Sequence, residues 1–137
     1  MLKKTVDYWY ATKKFDSGFF GKFEIYEFQD NWFNVSLSIG KKRKNVIAFL
    51  DGEKGSNNFT TNIGTGLEPL IWAKKCILEF IRDFPEMYTL KEPIYILISG
   101  DDSRRYKTYK WGLKKIGFIE GNYFGQKGLI YKIEKNI

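Results

Sequence analysis

Alternating apolar and polar residues predict a β-hairpin in the first third of the chain. Residues Lys22–Phe28 and Trp32–Ile39 flank the short polar turn Gln29-Asp30-Asn31. The second strand alternates regularly: Phe33, Val35, Leu37 and Ile39 stand against Asn34, Ser36 and Ser38. One face of that strand is therefore expected in a core and the other in water. A less regular alternation predicts an earlier strand at Thr5–Ala11.

Two continuous apolar runs predict strands that are covered on both faces, because such strands do not alternate. These runs are Asn45–Leu50 and Pro93–Ile98. Between them, apolar residues recur at helical spacing over Leu67–Phe84, and Pro85 is expected to end this helix. The order strand, helix, strand predicts that the two apolar strands are adjacent and parallel, joined by a right-handed crossover.

The last third of the chain predicts a second helix and a terminal hairpin. Tyr106, Tyr109, Leu113 and Ile116 follow one another at helical spacing after Ser103, and Gly117 is placed to end the helix. Two short strands, Tyr123–Phe124 and Leu129–Ile133, flank a glycine-containing turn. The predicted fold is one mixed α/β (α+β) domain over residues 1–137. Its sheet has about six or seven strands, mostly antiparallel, with a central parallel pair and two main helices.

Composition narrows the chemistry that this chain can use. It has 137 residues, no histidine, one cysteine and a net charge of +7. Without histidine, the common catalytic triads and most zinc sites are excluded, and no metal is expected. Cys76 lies among apolar residues of the first helix and is predicted to be a core residue. No apolar run approaches the roughly 20 residues that span a bilayer, so we expect a cytoplasmic protein without a membrane partner.

A glycine turn provides the clearest candidate binding site. Asn62-Ile63-Gly64-Thr65-Gly66 precedes the first helix, where free backbone N–H groups and the helix dipole favour an anion. Arg104 and Arg105 begin the second helix just after the apolar strand Pro93–Ile98 and could hold a phosphate. The alternative is that the first segment is only a turn before a capped helix and that the arginines are a solvated charge cluster.

These elements resemble the acyl-CoA-binding half of the GCN5-related N-acetyltransferase (GNAT) fold. The family's Gln/Arg-x-x-Gly-x-Gly/Ala motif is similar to Thr61-Asn62-Ile63-Gly64-Thr65-Gly66, and its helix ending in Gly-Phe is similar to the segment ending at Gly117-Phe118. The resemblance, closest to small GNAT-like proteins of phages or mobile elements, implies binding of acetyl-CoA or another acyl-CoA. In that reading Ile63, Gly64, Thr65 and Gly66 hold the pyrophosphate, and a backbone N–H of strand 45–50 polarises the thioester. It also requires strands 45–50 and 93–98 to pair.

Several positions depart from the family pattern. Thr61 replaces a long polar side chain, Glu68 brings a negative charge to the first helical turn, and Leu113 occupies the position of the family's tyrosine acid. Tyr109, one helical turn earlier, is the remaining candidate for that role, although a tyrosine at this spacing is also typical of a core. Residues 11–21 are too few for the two helices that usually shape the acceptor pocket.

Three functions therefore stay open at this point. The first is an acyl-CoA-dependent N-acyltransferase with a degenerate site. The second is a non-catalytic GNAT-like interaction protein that binds an acidic protein surface. The third is a basic nucleic-acid-binding domain. The basic turn Lys41-Lys42-Arg43-Lys44 and the 18% aromatic content favour it. Sequence does not fix the oligomeric state.

Overall fold

The computed structural model describes residues 2–5, 8–40, 47–48, 68–87, 92–99 and 104–134. The strands are β1 (Lys3–Lys4), β2 (Tyr8–Lys14), β3 (Phe20–Gln29), β4 (Trp32–Gly40), β5 (Ile47–Ala48), β6 (Ile94–Ser99), β7 (Ile119–Tyr123) and β8 (Gln126–Ile133). The helices are α1 (Glu68–Met87) and α2 (Arg104–Lys114). Neither of these helices is both long enough and apolar enough to cross a membrane.

The described strands form one mixed sheet in the order β1-β2-β3-β4-β6-β8-β7, with β5 attached to β4. Among them only β4 and β6 run parallel, and every other pairing is antiparallel. The predicted mixed α+β class, with a mostly antiparallel sheet and two main helices, is confirmed at this level.

The predicted partner of the parallel strand is wrong. Phe33 of β4 lies opposite Ile96 of β6, so the parallel pair is 32–40 with 94–99. From the other apolar run only Ile47–Ala48 is described, and it pairs with β4 in the antiparallel sense. The error came from expecting parallel strands to be covered on both faces. Here β4 alternates although it belongs to the parallel pair.

Three element boundaries also differ from the predictions. The strand predicted at Thr5–Ala11 is found at Tyr8–Lys14, because Thr5 forms a turn in which its backbone N–H and hydroxyl both bond to the Tyr8 carbonyl. Helix α1 continues past Pro85 to Met87, although proline has no N–H to donate to a carbonyl of the preceding turn. The short strand predicted at Tyr123–Phe124 is found at Ile119–Tyr123, and Phe124 lies in the turn that follows it.

Gly117 ends α2 as predicted. Its φ of +113° allows the Phe118 N–H to reach the Leu113 carbonyl, as in a Schellman motif.

Both described helices pack on the same face of the sheet. Phe80 and Phe84 of α1 lie against Phe33, with ring centroids 5.6 Å away in each case. At the other end, Phe118 follows α2 and packs 5.3 Å from Tyr131, which the register places on the same face through Ile96. The buried core fills the space between this face and the helices. The opposite face is not covered by either helix.

Candidate functional site

The glycine turn Ile63, Gly64, Thr65 and Gly66 lies outside the described residues, as does the basic turn Lys41–Lys44. Arg104 and Arg105 begin α2, as the sequence predicts, and only their backbone is described. The predicted anion site of these six residues therefore stays a prediction.

Tyr109, the candidate acid, is a buried residue with a structural hydrogen bond. Its side chain is 8% exposed, and its hydroxyl donates to the Ser99 carbonyl at 3.1 Å. Its ring packs edge-on against Tyr106 at 5.4 Å. Leu113, at the position where the GNAT family has tyrosine, is buried as well. These contacts fit the interpretation of Tyr109 as a core residue, whose phenol fixes α2 to the end of β6.

The edge of β4 that faces β6 is shared by two strands. Its residues 32–34 pair with β6, and Ser38 and Ile39 pair with β5. Both strands must use this edge because β3 pairs along the whole other edge of β4. An acyl-thioester arm lying along β4 would need these same backbone groups. Strand β5 therefore occupies part of the edge that such an arm would use.

Sequence analysis missed the most distinctive surface, which is the sheet face opposite the helices. We call it the open face. Register and alternation place on it a set of aromatic residues: Tyr8, Tyr10, Phe20, Tyr26, Phe28, Trp32, Tyr95 and Tyr123. The sequence did contain this signal, because these residues alternate with the buried ones on β2 and β3. It was overlooked because aromatic residues were expected to be core.

One end of the open face carries a dense aromatic cluster. Trp32 stacks on Tyr95 with ring centroids 4.6 Å apart and an interplanar angle of 20°. Phe124, from the turn between β7 and β8, meets the Trp32 ring edge-on at 4.8 Å and Phe28 at 5.4 Å. Phe28 and Phe124 are 42% and 54% exposed. This cluster thus presents the rings of Phe28 and Phe124 to solvent.

A pocket of about 300 Å³ adjoins this cluster. Phe28, Tyr123 and Phe124 form part of its lining, together with the polar residues Asn34 and Ser99. The Asn34 Nδ2 donates to the Tyr26 hydroxyl at 2.8 Å. Its buried Oδ1 has no hydrogen-bond partner within the described part of the chain, a costly state for an amide oxygen. The pocket therefore combines apolar walls with polar groups.

The other end of the open face is basic. A second pocket of about 350 Å³ is lined there by Tyr10, Thr12, Lys13, Lys14, Phe20, Gly21 and Lys22. The ammonium of Lys14 lies 5.6 Å from the Phe20 ring centroid, and that of Lys22 lies 5.7 Å from Tyr8 and 5.9 Å from Tyr10. Lysine held over an aromatic ring keeps its charge near the surface on which a planar ligand would stack.

Charges along the whole open face are mixed but mainly positive. Register places four lysines on it: Lys3, Lys14, Lys22 and Lys132. Glu24 forms an ion pair with Lys22 at 3.4 Å, and Glu134 forms one with Lys132 at 2.9 Å. The carboxylate of Glu134 raises the pKa of Lys132, which keeps this lysine charged. An anionic backbone crossing this face would meet more cations than anions.

No metal-binding arrangement emerges from the described ranges. Within them, no group of three or more histidine, cysteine, aspartate or glutamate residues could hold a metal ion. Burial raises the pKa of the Cys76 thiol to about 12, which suits a core residue and not a nucleophile.

Comparison with known proteins adds no further constraint. No protein-family model, curated protein or solved structure matches this chain.

Proposed function

We propose that this protein binds single-stranded nucleic acid through its open face. The observation that carries the proposal is the row of aromatic side chains on the side of the sheet away from the helices, where Phe28 is 42% exposed and the adjoining turn residue Phe124 is 54% exposed. Bases stack on such rings regardless of sequence, and each stacked base contributes about 1–3 kcal/mol. A sheet with helices on one face and aromatic residues on the other is a common platform for single strands.

Lysines on the open face would attract the phosphates of the bound strand. Lys14 and Lys22 stand beside aromatic rings at the basic end, so phosphates and bases of one strand could be bound side by side. The net charge of +7 adds a general attraction for the backbone. The extended ligand would cross the face from the basic pocket to the aromatic pocket.

Acyl-CoA binding and the GNAT relationship remain predictions beside this proposal. Two features weigh against them: β5 occupies part of the edge of β4, and Leu113 is buried where an acid would be needed. A non-catalytic GNAT-like protein that binds an acidic protein surface also remains a prediction. The resemblance to phage or mobile-element proteins remains a prediction in the same way. The aromatic row favours nucleic acid over an acidic protein surface, because charge alone would require no stacking platform.

Fluorescence anisotropy with a labelled single strand of about 12 nucleotides tests the proposal directly. RNA and DNA of one sequence are compared with each other and with a duplex. We expect the single strands to bind more tightly than the duplex, since paired bases cannot stack on the rings. Affinity should fall linearly with the logarithm of salt concentration. The absence of single-strand binding at about 50 mM salt would refute the proposal.

Matched variants show whether the open face is responsible. Phe28→Ala and Lys14→Ala alter this face, whereas Trp111→Ala and Lys75→Ala remove an exposed ring and an exposed lysine from the helix layer. We expect Phe28→Ala to weaken binding by about tenfold. Lys14→Ala should reduce the slope of the salt dependence by about 0.7. Equal losses in the helix-layer variants would contradict the assignment. Calorimetry with acetyl-CoA, repeated on Gly66→Ala, tests the acyltransferase alternative separately.

A further inference from the structure

The turn between β7 and β8 contains a conformation that its sequence does not favour. Phe124 and Gly125 have φ angles of +54° and +78°, and they link the paired residues Tyr123 and Gln126. Two consecutive positive φ angles are typical of a type I′ turn, whose first position usually carries asparagine, aspartate or glycine. A phenylalanine there is strained, because its Cβ approaches the backbone.

Burial does not explain why an aromatic residue occupies this position. The Phe124 side chain is 54% exposed, and its ring meets Trp32 and Phe28 only through edge contacts. Strained backbone conformations cluster at ligand sites. The ring instead forms part of the lining of the aromatic pocket, beside that of Phe28.

We propose that this pocket accepts one unstacked nucleobase, with Phe124 as the residue that holds it. This inference rests on the proposed function, because the base belongs to a strand that is bound along the open face. The pocket volume of about 300 Å³ is at the small end of the range for ligand sites and suits a single planar ring system. Phe28, Tyr123 and Phe124 provide ring surfaces on which the base can stack.

Polar groups in the pocket would bond to the edge of that base. Two amide residues, Asn34 and Gln126, and the hydroxyl residue Ser99 belong to its lining. An amide carries a donor and an acceptor side by side, the combination that pairs with the N6 and N7 atoms of adenine. The Asn34 Oδ1, which lacks a partner among the described residues, would gain one if the side chain turned toward an amino group. Affinity would therefore depend on the base at one position, with adenine preferred.

The Phe124→Asn variant separates this role from a structural one. Asparagine is favoured at positive φ, so thermal stability should stay unchanged or increase, while affinity for a single strand should fall by about tenfold. Trp111→Ala serves as the exposed-aromatic control, with no expected change in affinity. A Phe124→Asn variant that binds like the wild type would overturn the inference.

Abasic scanning locates the base. In an oligonucleotide of about 12 nucleotides with a single adenine, each base is removed in turn. We expect the loss of affinity to be largest at the adenine in the wild type, and this position dependence to disappear in Phe124→Asn. Equal losses at every position in the wild type would overturn the pocket but leave the stacking platform intact. A wild type that binds no oligonucleotide would overturn both.

Discussion

The hydroxyl of Tyr106 donates a 2.7 Å hydrogen bond to Oε2 of Glu120, which joins helix α2 to the outer hairpin of the sheet. Tyr106 is 1% exposed, so its phenol would lose a needed partner without this carboxylate. Lys110 and Lys127 approach the same oxygen at 3.4 and 3.9 Å. Because the hairpin also carries Phe124, this contact on the helix side supports the pocket on the open face.

Replacing Tyr106 with phenylalanine should make stability less sensitive to acid. The hydrogen bond from Tyr106, and then that from Lys110, lowers the pKa of Glu120 below its ordinary value of 4.5. A carboxyl group with a lowered folded-state pKa stabilises the protein above pH 4.5, and this contribution is lost as the pH falls through the folded value. Tyr106→Phe should therefore lower Tm at neutral pH more than in acid.

Thermal melts between neutral pH and about pH 3 measure this difference. Tyr26→Phe is the matched control, because the described hydrogen bond of its hydroxyl is to Asn34 and not to a carboxylate. If Tyr106→Phe lowers Tm by the same amount at every pH, the ionised form of Glu120 is not the partner of Tyr106.

Two glycine-to-alanine changes should shift stability in opposite directions. A Cβ at Gly21 would lie 2.7 Å from the Phe15 ring and 3.2 Å from Trp72, both of which are buried. We expect Gly21→Ala to destabilise the protein by about 1–3 kcal/mol through overpacking. A Cβ at Gly112, within α2, would meet nothing within 4 Å. Gly112→Ala should stabilise the helix by roughly 0.5–1 kcal/mol.

Urea titrations of both variants give the two values. A neutral Gly21→Ala would mean that the Phe15 ring can move aside, and a destabilising Gly112→Ala would mean that the helix surface there is more crowded than the structure indicates.

Local patterns predicted the helices and strands of this fold better than the pairing between the strands. The hairpin from Lys22 to Ile39 and the helix beginning near Leu67 follow from alternation and helical spacing, which depend on neighbouring residues only. Which strand lies beside Ile94–Ser99 depends on long-range packing. An apolar run at 45–50 and an alternating one at 32–39 were both compatible with that position, and the rule for doubly covered strands selected the wrong one.

The candidate site could be predicted only in part for a related reason. Phe28 and Tyr26 are large aromatic residues like several core residues, so composition suggested burial. Both stand at even-numbered positions of β3, whereas the buried Phe23 and Ile25 stand at odd-numbered positions. Because successive side chains of a strand point to opposite faces, this spacing was the available signal that Phe28 and Tyr26 lie on the other face. The positive φ of Phe124 was hidden, since only the Gly125 that follows it marked a turn.

Tyr109 should behave as a structural residue. Its hydroxyl is bonded to the Ser99 carbonyl and its side chain is buried. Tyr109→Phe should therefore destabilise the protein by about 1 kcal/mol, the usual net value of such a bond, and leave nucleic-acid affinity unchanged. Chemical denaturation and anisotropy measure the two quantities on the same sample. If the variant instead abolishes an acyl transfer that the wild type performs, with no change in stability, Tyr109 is a catalytic acid.

Cys76 should resist modification as long as the protein is folded. Its side chain is 5% exposed, and burial is the largest of the influences that raise its pKa from 9.0 to about 12. The reactive thiolate is therefore much rarer than at an ordinary exposed cysteine at the same pH. Ser17→Cys supplies an internal comparison, because position 17 is exposed in the turn before β3. With an aromatic disulfide reagent at slightly alkaline pH, we expect one fast thiol from position 17 and one slow thiol from Cys76. Denaturant should make both thiols react fast.

Two fast thiols in the native protein would mean that α1 opens readily from the sheet. The buried core would then be too loosely packed to support the open face.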